Sequence, residues 1–219
     1  AFRQVIGQDA NNPQIDLARV TAASIEQDIY ETAHNLGLPA RRVEEGLYYL
    51  EKGQRALHTG DYPACIAANQ RAIKSLGEWS PPLNNLSMAL FFDGQPEKAI
   101  ATARQVLAQD PNNVQALGNA IRFLAWTGQE AEARALWARL KYITPREHTE
   151  RLKMAEAAAI LDEDESVYQL LHPLARPGVA HGDLPEFTTR GQFLLAVAEA
   201  NTGRREAQRR LKALRDYRP

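Results

Sequence analysis

The sequence predicts an all-α fold assembled from stacked helix–turn–helix repeats. Gly60, Gly94 and Gly128 are evenly spaced along the chain, and each lies between two apolar helical stretches. Five positions after each glycine stands a small side chain: Cys65, Ala99 and Ala133. A glycine suits the left-handed end of a helix, and a small side chain lets a second helix approach the first closely. Recurrence at a fixed period of this kind indicates a repeat architecture.

The ends of the repeats follow the same period. Pro111 and Pro145 close the second and third repeats, and Gly77 takes that place after the first. Proline ends a helix because it lacks an amide donor and its ring clashes with the preceding turn. The predicted repeats occupy residues 46–79, 80–113 and 114–147.

The order of large, small and turn residues within each repeat resembles the tetratricopeptide repeat. The second repeat shows this order as Leu83, Leu86, Ser87, Leu90, Gly94, Ala99, Ala103 and Pro111, and the third shows it as Leu117, Ala120, Ile121, Leu124, Gly128, Ala133, Trp137 and Pro145. The first repeat departs at Lys52, where a leucine-like residue is expected. The resemblance implies a right-handed α–α superhelix whose first helices line the inner surface, with protein or peptide binding as its function.

Residues 1–45 are predicted to form an N-terminal arm followed by a helix. The helix is expected from Ile15 to Leu36, because Ile25, Ile29, Ala33 and Leu36 share one face. Gly37 and Pro39 are expected to end it, and a second helix is predicted to start near Ala40.

Residues 148–219 are predicted to contain a degenerate fourth repeat and C-terminal capping helices. The fourth turn is expected at Asp162–Glu165, and a loop rich in proline and glycine is expected at 175–185. The last helix pair is predicted to run through Phe187 and Phe193 and to turn at Gly203. Its tail is basic from Arg204 to Arg218, which we interpret as the solvated outer face that a terminal repeat needs.

The charge and cysteine content exclude several classes of function. The formal net charge is −1, so nothing in the composition favours nucleic acid or an anionic membrane as a partner, and we expect neither. A single cysteine, Cys65, permits no intramolecular disulfide and no zinc site built on thiolates. That content is compatible with a reducing compartment, and we expect a cytoplasmic protein. The chain lacks an initial Met, which suggests a processed product or a piece of a longer protein.

No motif for catalysis or cofactor binding is found in the sequence. The nucleotide-binding and hydrolase glycine motifs are missing, and so is HExxH. His172, His181 and Asp183 flank one loop, but their spacing is too unspecific for a metal site. Cys65 occupies a small-residue core position, which indicates a structural thiol. We therefore expect no enzymatic activity, no cofactor and no metal.

The resemblance implies which side chains line the concave groove. The candidate binding residues are Gln54, His58, Asn84, Asn85, Met88, Phe91, Phe92, Asn119, Arg122 and Trp126. One groove position recurs once in every repeat as Gln54, Met88, Arg122 and Glu156. Aromatic and arginine side chains dominate the binding energy of many interfaces, so Phe91, Phe92, Trp126 and Arg122 are the strongest candidates.

Binding of heat-shock chaperone tails is not expected. Family members with that function grip the terminal carboxylates with lysine, asparagine and arginine, and here only Asn85 matches. Gln54 replaces the first asparagine, and uncharged Leu50, Gln115 and Asn119 replace the basic residues. Without those charges the charge-assisted hydrogen bonds to the carboxylates are lost.

Three interpretations of the function remain open from the sequence. The first is an adaptor or scaffold that holds a peptide or helix in its groove. The second is a homodimer, in which the amino-terminal helix or the aromatic surface is buried in a second copy. The third is a regulatory or docking fragment of a longer protein.

Overall fold

The computed structural model describes residues 13–175 and 190–216, which form α-helices joined by short turns. The helices are α1 (Pro13–Leu36), α2 (Ala40–Thr59), α3 (Tyr62–Leu76), α4 (Ser80–Phe92), α5 (Pro96–Gln109), α6 (Val114–Trp126), α7 (Glu130–Leu140), α8 (His148–Ile160), α9 (Asp164–Leu171), α10 (Gln192–Asn201) and α11 (Glu206–Asp216). A 3₁₀ helix, His172–Ala175, follows α9. The described residues contain no β-strand, and the predicted all-α helical repeat fold is confirmed.

Several sequence-based predictions lie outside the described residues. These are the N-terminal arm before α1, most of the loop predicted at 175–185 with His181 and Asp183, Phe187 in the last predicted helix pair, and Arg218 of the basic tail.

The chain divides into two compact units, Ala1–Asn85 and Leu86–Pro219, which we call the N-terminal unit and the C-terminal unit. Among the described helices, α1 to α3 belong to the first unit and α5 to α11 to the second. The division falls within α4, and therefore within the repeat predicted at 80–113. The repeat boundaries drawn from the sequence stay a prediction.

Two glycines bring α2 and α3 of the N-terminal unit into close contact. A Cβ atom added at Gly46 would overlap the Leu76 side chain, and one at Gly53 would overlap the Asn69 amide. Asn69 is completely buried, and its Nδ2 donates to the Cys65 backbone oxygen at 2.9 Å. This polar side chain takes the position that Ala103 and Trp137 occupy in the next two repeats, so the first repeat has a partly polar helix interface.

The three turns that the glycine period predicts have the same backbone geometry. Gly60, Gly94 and Gly128 have φ angles of 76°, 77° and 77°, in the left-handed region. The next residue donates its backbone N–H to the carbonyl five positions earlier: Asp61 to Ala56 at 2.9 Å, Gln95 to Leu90 at 2.9 Å, and Gln129 to Leu124 at 2.8 Å. This bond closes the helix end and starts the next helix at a fixed angle.

The same turn recurs in the fourth helix pair without a glycine. Asp162 lies one repeat period after Gly128 and has a φ of 58°, and the Glu163 N–H donates to the Ala158 carbonyl at 3.0 Å. Aspartate tolerates the left-handed region better than most residues. The turn is shorter than predicted, because Asp164 and Glu165 already lie in the first turn of α9, where acidic side chains are favoured.

The core of the C-terminal unit is organised around α6. Leu117, Ile121, Phe123 and Leu124 are fully buried, and α6 packs against α5, α7 and α8. The small residues Ala99 and Ala133 are also fully buried, and Cys65 is buried likewise in the N-terminal unit. Small, buried side chains at this repeated position explain how successive helices approach closely.

The last helix pair differs from the sequence-based interpretation in two respects. The sequence predicts Phe193 on the apolar face, yet its side chain is exposed. The prediction of a uniformly solvated basic helix is wrong for Arg204 and Arg210. Arg204 lies 3.7 Å over the Tyr168 ring, and Arg210 forms an ion pair with the buried Glu199. Partners on α9 and α10 account for the positions of both arginines.

Candidate interaction surface

The ten predicted groove residues divide between the two units. Gln54, His58, Asn84 and Asn85 belong to the N-terminal unit, and Met88, Phe91, Phe92, Asn119, Arg122 and Trp126 belong to the C-terminal unit. In the N-terminal unit, Gln54 and His58 lie on α2, and a His58 ring nitrogen lies 3.2 Å from the Gln54 backbone oxygen. Asn84 is buried and Asn85 is half-buried on α4.

Three aromatic side chains of the C-terminal unit form one surface, which we call the aromatic ridge: Phe91, Phe92 and Trp126. Phe91 contacts both others, with ring centroids 5.8 Å from Phe92 and 5.5 Å from Trp126. It also stacks on the buried Phe123 ring at 4.5 Å. Trp126 is 57% exposed and Phe92 is 40% exposed, so a rigid aromatic surface is anchored in the core and open to solvent.

A second group of side chains lies beside the ridge, and we call it the charged cluster: Arg122, Lys153, Glu156 and Arg190. Glu156 of α8 receives all three cations. Arg122 Nη2 lies 2.6 Å from Glu156 Oε2, Lys153 Nζ lies 3.4 Å from the same oxygen, and Arg190 Nη1 lies 2.9 Å from Oε1.

The charged cluster is largely removed from water. The Arg122 and Glu156 side chains are 7% and 6% exposed, whereas Arg190 is 57% exposed. Burial lowers the pKa of the Arg122 guanidinium below its ordinary value; Glu156 opposes this and Arg190 adds to it. Burial also lowers the pKa of the Lys153 ammonium, again opposed by Glu156. Both cations are therefore held in a site that disfavours their charged forms.

Asn119 is buried rather than placed on the surface. Its side chain has no exposed area, and its Nδ2 lies 3.2 Å from the Ser87 hydroxyl. The contact joins α4 to α6 within the C-terminal unit. A partner that approaches the ridge from solvent therefore does not contact the Asn119 side chain, and Asn119 is not part of the exposed surface.

Lys153 is not indicated by the sequence pattern. Glu156 occupies the groove position of Arg122 one repeat later, and opposite charges at one repeat position are the signal for their ion pair. Arg190 lies one further repeat period after Glu156, so the period could have indicated it, although the predicted groove residues do not include it. Lys153 reaches the cluster because α6 has a glycine at its point of contact: a Cβ on Gly118 would lie 2.7 Å from Lys153 Cγ and Cδ. A residue without a side chain at position 118 gives no periodic signal for the Lys153 contact.

An open cavity of about 580 Å³ lies between α2 and α3 of the N-terminal unit. It is lined by Arg42, Glu45, Tyr49, Arg71, Lys74 and Ser75. Within it, Arg71 donates to the Tyr49 hydroxyl at 2.8 Å and Arg42 to the Lys74 carbonyl at 3.4 Å. Both arginines therefore already have acceptors from the protein.

The described residues contain no cluster of three or more His, Cys, Asp and Glu side chains that could hold a metal ion. Of the loop candidates, His172 lies in the 3₁₀ helix and stacks on Tyr168. Burial raises the pKa of the Cys65 thiol to about 11, so the reactive thiolate is scarce at neutral pH. No helix in the described part of the chain has the length and apolar character needed to cross a membrane.

Comparison with known proteins agrees with the repeat geometry. A family model described as "Tetratricopeptide repeat" matches residues 90–159, which include the aromatic ridge, Arg122, Lys153 and Glu156. The predicted resemblance to the tetratricopeptide repeat is confirmed over residues 90–159. The tetratricopeptide match begins in α4 and ends in α8, so it also includes the glycine turns at Gly94 and Gly128.

A curated relative extends the tetratricopeptide similarity beyond that segment. "TPR repeat-containing protein YvcD" from Bacillus subtilis (strain 168) is 24% identical over 175 residues, which cover 80% of this chain and 34% of the relative. The chain therefore spans about a third of the length of that relative. A solved structure described as "MamA AMB-1 C2221" is 17% identical, with a TM-score of 0.44 over 78% of this chain and 98% of that chain.

Proposed function

We propose that this chain is a non-catalytic interaction module that holds a peptide or helix of another protein against the aromatic ridge. The observation that carries this proposal is the ridge itself, in which Trp126 and Phe92 are exposed while Phe91 is fixed by its contact with buried Phe123. Clusters of exposed aromatic side chains on soluble proteins commonly mark interaction sites.

The physical properties of the ridge favour a protein partner over a small molecule. Its side chains come from two helices, α4 and α6, whose backbones are held by the core and need little ordering on binding. Pre-ordered aromatic rings bury a large area at low entropic cost, which is why they dominate binding hot spots. The neighbouring charged groups are engaged in ion pairs, so they are better suited to recognition than to proton transfer.

The experiment that tests the proposal is selection of displayed short peptides on the purified protein, followed by titration of a selected peptide into three variants. We expect Trp126→Ala and Phe92→Ala to weaken binding about tenfold or more, because each removes a ring of the ridge. Tyr142→Ala is the matched control, since Tyr142 is an exposed aromatic residue just after the end of α7. Failure to select any binder, or equal losses in all three variants, would contradict the proposal.

Light scattering coupled to size exclusion distinguishes the adaptor from a homodimer. A monomer of about 24.4 kDa is the expected result. A dimer that Trp126→Ala disrupts and Tyr142→Ala does not would assign the ridge to a second copy of the chain.

A further inference from the structure

The charged cluster contains more positive charge than its carboxylate requires. Arg122, Lys153 and Arg190 all lie within 3.4 Å of one Glu156 oxygen or the other. Among the residues that the structure describes, three formal positive charges thus face a single negative charge. Like charges repel more strongly where water is excluded, so the excess of two charges is costly in this setting.

The donors of the cluster are not all used by strong acceptors. Arg122 Nη2 donates to Glu156 at 2.6 Å, but Nη1 of the same guanidinium lies 3.6 Å from the Met88 sulfur. A thioether is a weak hydrogen-bond acceptor, whereas a guanidinium binds a carboxylate best with two parallel donors. Arg190, with more than half of its side chain exposed, adds a cation that a ligand can reach.

The position of Lys153 also requires a particular sequence feature. Its aliphatic stem lies where a Cβ of residue 118 would be, so any side chain larger than glycine would displace it. The positions equivalent to Gly118 in the preceding and following repeats are occupied by Asn84 and Leu152. Core packing alone gives no reason to bring a lysine into a cluster that already has an excess of positive charge.

The cluster and the aromatic ridge are adjacent on α6, where Trp126 follows Arg122 by four positions. On α4, Phe92 follows by four positions Met88, whose sulfur contacts Arg122. Residues four apart share a helix face and are separated by about one turn, roughly 5–6 Å. A ligand on this surface therefore meets positive charge and aromatic rings about that far apart.

We propose that the charged cluster binds the side-chain carboxylate of an Asp or Glu residue in the partner, while the ridge binds an apolar side chain within about two residues of that acid. This inference rests on the proposed function and specifies the chemistry of the partner. It uses Arg122, Lys153 and Arg190; the positions at which chaperone-binding relatives hold terminal carboxylates are uncharged in this chain.

The test uses the same peptide library, displayed through its carboxyl end so that every available carboxylate comes from Asp or Glu. The selected peptides should contain an acid close in sequence to an aromatic or large apolar residue. Ridge-binding peptides without any enrichment of acids would overturn this inference and leave the proposed function intact. An absence of binders would contradict both.

Titrations of one selected peptide and its Glu-to-Gln (or Asp-to-Asn) counterpart then localise the acid. We expect the neutral peptide to bind about tenfold more weakly. Arg190→Gln should weaken binding of the acidic peptide several-fold and leave the neutral peptide unaffected, because the two charges then interact in the complex. Arg134→Gln is the matched control, because Arg134 is a comparably exposed arginine on α7 that pairs with Glu130.

Equal losses for both peptides in Arg190→Gln, or equal losses in Arg190→Gln and Arg134→Gln, would overturn the inference. The choice of Arg190 keeps the test independent of folding, since its side chain is mainly exposed and Arg122 and Lys153 still neutralise Glu156.

Discussion

Two carboxylates are buried in the described part of the C-terminal unit, and they are neutralised in different ways. Glu199 of α10 is 1% exposed and meets Arg210 of α11, which places Nε and Nη2 at 3.0 Å from its two oxygens. The third nitrogen of that guanidinium donates to Gln192. Glu156 of α8 is similarly hidden from solvent but meets three cations.

The Glu199 pair has the features of a structural ion pair, whereas the Glu156 cluster is the proposed recognition site. In the Glu199 pair, charge and hydrogen-bond geometry are both satisfied, and the pair holds α11 against α10. Around Glu156, charge is in excess, and one edge of the Arg122 guanidinium faces a thioether. Removal of one partner of a buried ion pair strongly destabilises the folded protein. A cluster with surplus cations, in contrast, retains the capacity to bind an anion.

The largest expected effect is on the balanced pair. Glu199→Gln should lower the free energy of unfolding by about 3 kcal/mol, because Arg210 is then left partly buried without a counter-charge. Urea unfolding followed by circular dichroism measures this, with Glu132→Gln as the control, since Glu132 pairs with Arg104 at the surface. Equal shifts of the two midpoints would show that burial of the pair is unimportant.

Nearly the same loss, about 3 kcal/mol, is expected for Glu156→Gln, because Arg122 and Lys153 stay buried without a counter-charge even when Arg190 moves into solvent. This variant should also regain part of its stability in sodium sulfate relative to sodium chloride at equal ionic strength, since an anion can replace the missing carboxylate. Sulfate stabilises folded proteins in general, so the gain is taken relative to wild type, and Glu199→Gln should gain no more than wild type does. Identical salt responses would contradict the distinction between the two sites.

Gly118→Ala tests how the excess charge is accommodated. In the wild-type background it should destabilise the protein by about 1 kcal/mol, because the new methyl group displaces the Lys153 stem. In a Lys153→Ala background the same change should be neutral or stabilising by up to about 1 kcal/mol, since alanine is the better helix former. Calorimetry of the four proteins gives the comparison. Equal effects in both backgrounds would place the strain elsewhere.

The smallest expected effect is a pH dependence that belongs to Lys153. The pKa of Lys153 is lowered in the folded protein. At pH values between this lowered pKa and the ordinary pKa of 10.5, the unfolded chain therefore binds more protons than the folded protein. Stability contributed by this group therefore increases as pH rises through that window. The difference in unfolding free energy between wild type and Lys153→Met should shift in favour of wild type from about pH 8 to about pH 10. A shift of opposite sign would contradict the burial of a charged lysine.

The repeat pattern explains why so much of the helical order is predictable. A helix end closed by a left-handed residue depends on a few neighbouring residues, so the period correctly places the turns at Gly60, Gly94 and Gly128. Even Asp162, which is not a glycine, lies within the predicted fourth turn. Local backbone sterics decide such features, and local sequence reports them.

The candidate site is predictable only in part, because burial and pairing depend on several helices at once. The repeat period places Met88, Arg122 and Glu156 in one groove position, and the described contacts between them agree with it. It does not indicate that Asn119 is buried.

The sequence by itself therefore determined the helices, their turns and the repeated positions that face one another, since these follow from local backbone preferences and a fixed period. Only the tertiary structure decided which charges meet. Lys153 enters the cluster through the space left by Gly118, and Arg210 closes on Glu199. Such contacts depend on side-chain volume and on distances between helices far apart in sequence, which no local pattern records.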